Sequence, residues 1–246
     1  SYDPLKEVSD LWIVPADGNA GPRRLTSTKG TESGPAWSPD STRIAFAAKR
    51  DDDEVNQIYV LDVVRGGEAQ RVTAVPTAAS VPRWSPDGQK VLFQAALWPG
   101  ATDEESNRKV VQERKNIKSK VRIYDSFPIR DFDHWIEESK SQLWVVDVAG
   151  DRKARSLFGA SKAAARPGFG GTALGGVWSP DGQTIAFGRG FYYDGSDKSQ
   201  LWLIHPDGTG LRQLTDLPGG AGAPSWSPNG RRLAFETDVQ TNERNI

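Results

Sequence analysis

The stretch Trp84-Ser85-Pro86-Asp87-Gly88 decides the fold of this chain, because it recurs and the other features fall at fixed distances from it. Proline presets the backbone angle at the first corner of a turn, aspartate or asparagine bonds to the local backbone, and glycine tolerates the exit geometry. The motif therefore predicts a tight turn between two strands. Its copies are Trp37-Ser38-Pro39-Asp40, Trp84-Ser85-Pro86-Asp87-Gly88, Trp178-Ser179-Pro180-Asp181-Gly182 and Trp226-Ser227-Pro228-Asn229-Gly230.

Each turn is followed by a predicted strand. Bulky apolar residues occupy every second position after the turn. A strand with this two-residue period buries one side of a sheet. Each copy of the motif therefore predicts a β-hairpin. The bulky pairs are Ile44 and Phe46, Val91 and Phe93, Ile185 and Phe187, and Leu233 and Phe235.

A second pair of strands recurs between the hairpins. The repeat tryptophans lie about 47 positions apart, or twice that distance, and such a period with four short strands is typical of a propeller blade. The sequence therefore predicts an all-β fold, a partial β-propeller of four-stranded, WD-repeat-like blades with one helical insertion. The third strands contain Leu11-Trp12-Ile13-Val14, Ile58-Tyr59-Val60-Leu61, Leu143-Trp144-Val145-Val146 and Leu201-Trp202-Leu203-Ile204, and the fourth strands are marked by Leu25, Val72, Leu157 and Leu214.

The repeats divide one predicted propeller domain, residues 1–246, into units. Two half-blades at the ends could pair to close a ring of four blades. We favour a larger propeller that is incomplete here, because the number of units is small and the last hairpin ends without a tail. The expected units are a partial first blade at 1–27, blades at about 35–74, 81–157 (with an insertion at 97–139) and 176–215, and a partial last blade at 223–246.

Composition excludes several classes of partner. The 31 basic and 32 acidic residues are mixed along the chain, so no broad field attracts nucleic acid or anionic lipid. No apolar run is long enough to span a membrane, and we expect neither nucleic acid nor a membrane as a partner. The absence of cysteine excludes disulfides and thiolate metal sites. The absence of cysteine does not identify the compartment, which could be the cytoplasm or an oxidising location such as the periplasm or the secreted medium.

Two charged segments are predicted to lie in solvent. The acidic run Asp51-Asp52-Asp53-Glu54 lacks the ligand spacing of a calcium loop, so it is expected to be a solvated loop. The insertion begins Thr102-Asp103-Glu104-Glu105, which predicts a helical capping box in which Thr102 accepts a backbone amide. Acidic residues lead and basic residues follow, which matches the helix dipole. The sequence therefore predicts a short charged helix.

No catalytic constellation is found along the chain. The Gly-x-Ser-x-Gly elbow of serine hydrolases is absent, and its nearest counterpart, Gly159-Ala160-Ser161-Lys162-Ala163, lacks the second glycine. The two histidines, His134 and His205, do not have the spacing of metal ligands. A propeller enzyme with histidine-bound metal is therefore disfavoured, and we expect no metal and no cofactor.

The repeat nevertheless resembles one that is shared by the TolB periplasmic proteins and the prolyl oligopeptidase family. The resemblance rests on the Trp-Ser-Pro-Asp-Gly hairpin, on Leu143-Trp144-Val145-Val146-Asp147 and on Arg24-Leu25-Thr26. The insertion is similar to that of bacterial acylaminoacyl-peptidases and dipeptidyl-aminopeptidases within this peptidase family. The residues that carry this similarity are Glu113-Arg114-Lys115, Val121-Arg122-Ile123-Tyr124, Phe127-Pro128-Ile129-Arg130, His134-Trp135 and 141–147.

The resemblance implies a non-catalytic propeller set against a C-terminal α/β-hydrolase domain of the same polypeptide, which carries the serine, aspartate and histidine. Such a propeller restricts entry to short peptides. The chain itself lacks the hydrolase domain, so whether it is part of an enzyme is uncertain. The glutamate pairs Glu104-Glu105 and Glu137-Glu138 do not match the amino-terminus-binding motif of the dipeptidyl-peptidase branch, and no such role is assigned to them.

Four residues of the insertion are candidates for contact with the hydrolase domain or the peptide: Arg122, Arg130, His134 and Trp135. Arginine binds carboxylates in a bidentate fashion, and tryptophan supplies rigid contact area. Alternatively, these residues only pin the insertion onto its blade. The alternative function is that of a TolB-like scaffold, which binds protein partners at the rim or in the central channel.

Overall fold

Short antiparallel strands make up most of this chain in a computed structural model. The structure describes residues 9–50, 52–117, 130–131, 134–135, 139–159, 175–193 and 196–237, with the backbone alone at 130–131, 134–135, 190–193 and 196–198. The strands are β1 (Trp12–Ile13), β2 (Arg23–Arg24), β3 (Glu32–Trp37), β4 (Arg43–Ala48), β5 (Gln57–Asp62), β6 (Gln70–Arg71), β7 (Ser80–Trp84), β8 (Lys90–Leu97), β9 (Arg130–Asp131), β10 (His134–Trp135), β11 (Lys140–Asp147), β12 (Arg155–Ser156), β13 (Val177–Trp178), β14 (Ile185–Tyr193), β15 (Ser196–Ile204), β16 (Arg212–Gln213), β17 (Ala221–Trp226) and β18 (Leu233–Thr237), and helix α1 (Glu104–Asn116) follows β8.

The strands form three complete four-stranded blades. Blade 1 has the order β3-β4-β5-β6, blade 2 has β7-β8-β11-β12, and blade 3 has β13-β14-β15-β16. Among the described residues, three further sheets have two strands each: the outer half-blade, β1-β2, the inner half-blade, β17-β18, and the ribbon β9-β10. The sheets do not close into a ring. The predicted fold, a partial β-propeller with four-stranded blades and one helix, is confirmed.

Each predicted turn is held by the same hydrogen bonds. In the first copy, Ser38 Oγ donates to Asp40 Oδ1 over 2.6 Å, and the Thr42 amide donates to the same oxygen over 3.1 Å. The Arg43 amide donates to Ser38 Oγ over 2.9 Å, which closes the hairpin. The equivalent pairs are Ser85 with Asp87, Ser179 with Asp181, and Ser227 with Asn229.

The core lies between neighbouring blades. One cluster joins Ile58 and Val60 of blade 1 to Phe93 and Trp144 of blade 2, and a second joins blade 2 to blade 3. A third packs Leu11 of the outer half-blade against blade 1. Blades 1 and 2 are therefore stabilised by the sheets on either side of them.

The repeat tryptophans connect consecutive blades by hydrogen bonds. The Trp84 indole Nε1 donates to the Ala36 carbonyl over 3.0 Å, and Trp178 Nε1 donates to the Arg83 carbonyl over 3.2 Å. The acceptor in each case is the residue before the tryptophan of the preceding unit. Each repeat thus supplies both the indole donor and the carbonyl acceptor of this hydrogen bond between blades. The same bond runs from Trp226 Nε1 to the Val177 carbonyl.

A bulge in the innermost strand was not predicted from the sequence. Three residues before the repeat tryptophan, the backbone takes a positive φ, at Gly34 (62°), Val81 (51°), Gly175 (50°) and Ala223 (47°). The strand pairing is offset at this point in blade 1, in blade 2 and in the inner half-blade. A β-bulge of this kind bends the strand locally.

The helix begins one residue later than the predicted capping box. Asp103 is the N-cap and accepts the Ser106 amide over 2.8 Å, while Ser106 Oγ accepts the Asp103 amide over 3.1 Å. The assignment of the cap to Thr102 is therefore wrong, because the carboxylate one residue on reaches the third helical amide better. No helix among the described residues is long and apolar enough to cross a membrane. The division of the chain into the units given above stays a prediction.

Candidate functional site

One edge of the blade array carries the long connections, and we call it the loop face. Neighbouring strands in a blade are antiparallel, so the connections β4–β5 (49–56) and β8–β11 (98–139) leave the edge opposite the Trp-Ser-Pro turns. The β14–β15 hairpin also extends toward this edge. Loops of this kind, placed by a rigid scaffold, are the usual location of binding residues.

Helix α1 is anchored to blade 2 by one buried side chain. Asn107 is fully buried; its Oδ1 accepts the Trp98 amide and its Nδ2 donates to the Ala96 carbonyl, each over 3.0 Å. These bonds satisfy backbone groups at the end of β8. The start of the helix is therefore fixed to the blade from which it emerges.

The rest of the helix reaches across to blade 1. Lys115 forms an ion pair with Glu54, and Arg108 donates to the Ala74 carbonyl. The Lys115 ammonium, through its hydrogen bond and charge, holds the pKa of the Glu54 carboxyl below its ordinary value. The Arg114 guanidinium lies 3.9 Å from the centre of the Trp98 ring, a cation–π distance. The helix thus bridges two blades on the loop face.

A cleft of about 350 Å³ lies between helix α1 and blade 1. Its lining combines charged side chains with apolar ones. A cleft of this volume is within the range that holds small ligands or a few peptide residues. Its lining residues include Asp52, Val55, Arg71, Ala74, Val75, Pro76, Arg108, Val111, Gln112 and Lys115.

A charge network centred on the buried Asp53 borders the cleft. Asp53 is 7% exposed, and its carboxylate accepts Tyr59 Oη over 2.6 Å and Arg71 Nη1 over 2.7 Å. Burial by itself raises the pKa of Asp53, but these hydrogen bonds outweigh it and hold the pKa below its ordinary value. Burial and the bond to Asp53 raise the pKa of Tyr59. The predicted solvated loop is therefore wrong at Asp53, because strands β5 and β6 of the same blade supply partners that the sequence does not place.

The candidate residues of the insertion lie on the loop face or outside the described part. The backbone pairs Trp135 with Arg130 and His134 with Asp131 in the short ribbon β9–β10. Arg122 lies outside the described residues. The backbone positions of three of the four candidates, Arg130, His134 and Trp135, therefore lie in one two-stranded ribbon. The contacts proposed for their side chains stay predictions.

The described residues hold no group of three or more side chains suited to a metal ion. His205 lies at the end of β15, where its Nδ1 is 2.9 Å from the Gln183 carbonyl oxygen, next to a Pro-Asp-Gly turn. This position is on the edge opposite the loop face. The arrangement on the loop face offers charged and apolar groups for contact with a partner or ligand.

Sequence reasoning did not find the residues that attach the helix. Arg108, Val111 and Lys115 lie at the three- and four-residue spacing of one helix side, a signal that was available. The spacing indicates a shared face but does not say which surface that face meets. Glu54 and Ala74 are far from the helix along the chain.

Curated proteins with similar sequences fall into two groups. The Tol-Pal system protein TolB of Nitratidesulfovibrio vulgaris is 48% identical over 52 residues, 21% of this chain and 11% of that protein. The peptidase YuxL of Bacillus subtilis is 36% identical over 66 residues, 27% of this chain and 10% of that protein. Dipeptidyl-peptidase 5 of Porphyromonas gingivalis is 36% identical over 59 residues, 23% of this chain and 9% of that protein. No family model matches the chain.

Solved structures extend the likeness to nearly the whole chain. TolB from Acinetobacter baumannii matches 92% of this chain and 42% of its own, with a TM-score of 0.52 and 18% identity. This chain carries TolB-like propeller repeats. The acylaminoacyl peptidase of Pyrococcus horikoshii gives the same TM-score, 0.52, at 18% identity over 84% of this chain and 28% of the peptidase. An oligogalacturonate lyase in complex with manganese gives 0.58 at 17% identity over 94% of this chain and 53% of the lyase.

The comparisons confirm the repeat resemblance that the motifs indicated. The segments of this chain that match the curated relatives span only about a tenth of those proteins, 11%, 10% and 9% of their lengths. The likeness therefore concerns the repeats. The propeller is of the kind found in TolB-like and peptidase-like proteins.

Proposed function

We propose that this chain is the non-catalytic propeller of a serine peptidase, which limits access of short peptides to a separate α/β-hydrolase domain and docks on that domain. The sequence likeness to two peptidases supports this function. The observation that carries it is the insertion on the loop face. There helix α1 crosses from blade 2 to blade 1 and borders a charged cleft.

In this proposal the loop face meets the hydrolase domain. The insertion that contains Arg122, Arg130, His134 and Trp135 forms the contact, and the cleft beside α1 lies on the path of the peptide. Helix α1 sets the position of the insertion because it is attached at both ends: Asn107 holds its start and Lys115 its last turn. Loosening either attachment should widen the entrance.

The first experiment asks whether a hydrolase accompanies the propeller. The encoding locus would be sequenced for a Gly-x-Ser-x-Gly elbow followed by aspartate and histidine, and the whole polypeptide would be treated with a serine-reactive fluorophosphonate probe. We expect labelling of the whole polypeptide and none of residues 1–246. An elbow absent from the polypeptide would contradict the peptidase function.

The second experiment tests the gate in that whole polypeptide. Lys115→Glu should raise kcat/KM for long peptides relative to short ones severalfold, because it places two carboxylates together where helix α1 meets blade 1. Combining it with Glu54→Lys should restore the original ratio. Lys109→Glu is the matched control, since Lys109 pairs with Glu105 within the same helix, where both are exposed. An equal effect of Lys109→Glu would contradict the gate.

The alternative function is a TolB-like scaffold that binds protein partners, and the 48% identity to a TolB protein favours it. It predicts that the locus encodes no hydrolase. It also predicts that Arg130→Ala and Trp135→Ala weaken capture of a folded protein partner, with no effect on any peptide hydrolysis. Under the peptidase function the same two substitutions should raise KM for short peptides.

A further inference from the structure

We propose that the cleft beside helix α1 binds the free C-terminal carboxylate of a short peptide, and that Arg71 is the residue that holds it. The inference rests on the proposed function and deepens it, because it names the end of the peptide that the cleft takes. Asp52 lines the same cleft and faces the charged amino group of that peptide.

Blade 1 departs from the repeat beside the cleft. In the other three units with these strands, the third strand pairs a tryptophan with the fourth, but blade 1 pairs Tyr59 with Arg71, which lines the cleft. Because the other units fold without this tyrosine, the repeat does not require it, and such local departures are expected at functional sites. The tryptophan pairs are Trp12 with Arg24, Trp144 with Ser156, and Trp202 with Gln213.

The tyrosine supplies a hydroxyl that fixes the carboxylate of Asp53. Tyr59 Oη donates to Asp53 Oδ2 over 2.6 Å, and the Arg50 amide donates to the same oxygen over 3.2 Å. Arg71 Nη1 donates to the other oxygen, Oδ1, over 2.7 Å. The buried carboxylate is therefore held at both oxygens, and it in turn fixes the guanidinium of Arg71.

The guanidinium of Arg71 keeps donors for a ligand. The side chain is 49% exposed, and the bond from Nη1 to Asp53 is the only hydrogen bond of this guanidinium among the described residues. Nη2 and Nε therefore remain available at the wall of the cleft. A guanidinium binds a carboxylate through two parallel N–H donors, and one that is already held in place loses less freedom on binding.

Stability alone does not explain this charge network. A buried ion pair adds little net stability, because the loss of hydration offsets the attraction between the charges. In blade 2 the position of Tyr59 is occupied by Trp144, a fully buried ring without a charged partner on the strand opposite. The fold therefore does not require a charge here, which favours a role in binding.

The charges of the cleft favour a ligand that carries both signs. Glu54 already pairs with Lys115, whereas Asp52 carries no hydrogen bond among the described residues. A short peptide with free ends has one charge of each sign, so it complements Arg71 and Asp52 together. The charged lining residues are Asp52, Asp53, Glu54, Arg71, Arg108 and Lys115.

The experiment is isothermal titration calorimetry of the 246-residue chain with the dipeptide Ala-Phe and with its C-terminal amide. The apolar part of the lining, Val55, Pro76 and Val111, suits the aromatic residue of this probe. We expect the acid to bind at least tenfold more tightly than the amide, because only the acid offers a carboxylate for charge-assisted hydrogen bonds. Equal binding of the two, or no binding of either at about 10 mM, would overturn the proposal.

Arg71→Gln should remove the preference for the acid and leave binding of the amide unchanged. Glutamine already occupies the equivalent position in blade 3, as Gln213, so the repeat accepts it. Arg24→Gln is the matched control, because Arg24 lies at the same repeat position, has a side chain that is 43% exposed and pairs with Asp10. An equal loss of preference in the two variants would contradict the role of Arg71.

Tyr59→Phe tests whether the tyrosine positions Arg71 through Asp53. The ratio of the acid affinity to the amide affinity should fall severalfold, because the carboxylate of Asp53 loses one of the donors that fix it. A structural role would instead weaken binding of both peptides alike and leave the ratio unchanged, which would contradict the positioning. The urea midpoint of each variant, measured alongside, reports its stability separately.

Two further results separate this inference from its alternatives. Inorganic phosphate at the same concentration should not displace Ala-Phe, because Asp52 repels a dianion; displacement would show a general anion site and overturn the proposal. The calorimetry needs no hydrolase domain, so it is independent of the fluorophosphonate test. A labelled polypeptide whose propeller does not prefer the acid would end this inference alone, and an unlabelled one whose propeller does prefer it would end the peptidase function alone.

Discussion

At the residue scale, the aspartate of the repeat turn makes stability depend on pH. The hydrogen bond from Ser38, followed by those from Thr42, lowers the pKa of Asp40 from 3.8 to about 2. Hydrogen bonds from Ser85 and from Ser179 likewise hold the pKa values of Asp87 and Asp181 below their ordinary range. A carboxyl whose pKa is lower in the folded state stabilises that state above its unfolded pKa, and the contribution is lost as the pH falls through the folded pKa.

We therefore predict that the urea midpoint falls as the pH is lowered from about 4 to about 2. Asp40→Asn should show a smaller fall, because an amide oxygen keeps both acceptor bonds without titrating. The fourth turn carries Asn229 and offers the reverse control: Asn229→Asp should make the fall larger. Equal falls in the two variants would show that other groups control acid unfolding.

The second residue-scale feature is the backbone strain at Val81. A β-branched residue is disfavoured at positive φ, and Val81 has a φ of 51°, where blade 1 has glycine at 62°. Gly34→Val should lower the free energy of unfolding by about 1–2 kcal/mol through the cost of the left-handed conformation. Val81→Gly should leave it unchanged or raise it, since the side chain is 41% exposed and contributes little burial. Urea unfolding of both variants measures the difference.

At the scale of the element, the hydrogen bond between neighbouring blades is expected to stabilise the array. Trp84→Phe removes the indole donor to the Ala36 carbonyl, and should cost about 1–3 kcal/mol because this part-buried carbonyl loses its donor. Trp37→Phe is the matched control, since Trp37 is half-exposed. Equal losses of unfolding free energy in the two variants would mean that the hydrogen bond from Trp84 to Ala36 adds no stability to that of the packed aromatic ring.

At the scale of the whole molecule, stability should vary along the array. Blades 1 and 2 are covered on both sides by hydrophobic clusters, whereas the half-blades have two strands and exposed aromatic residues. Amides of β1–β2 and β17–β18 should exchange with deuterium before those of β4, β8 and β14. Uniform exchange along the chain would contradict this order.

Much of the fold could be predicted from the sequence because its determinants are local. The Ser-Pro-Asp-Gly turn is closed by bonds within five residues, as from Ser38 to Arg43, and the alternation around Phe46 states which strand face is buried. Repetition then multiplies each local signal. The bulge at Val81 was missed because no side-chain pattern marks a positive φ at a valine. The N-cap was misplaced by one residue because Thr102 and Asp103 are both good caps.

The candidate site depended more on neighbours than on local pattern. No sequence pattern around Asp53 indicates that Arg71 and Tyr59 donate to its carboxylate. Asp53 was therefore expected to lie in solvent, although it is buried. Nothing near Lys115 says that it reaches Glu54 on another blade.

The sequence by itself determined the turns, the strands and the four-stranded repeat, since bonds between residues close in the chain form wherever the motif occurs. Only the tertiary structure decided which copies of the same residue are covered. Trp84 is 8% exposed and Trp37 is 48% exposed within identical Trp-Ser-Pro-Asp motifs. The physical reason is that the burial of a motif residue depends on the blade that packs against it, and the motif itself does not determine that contact.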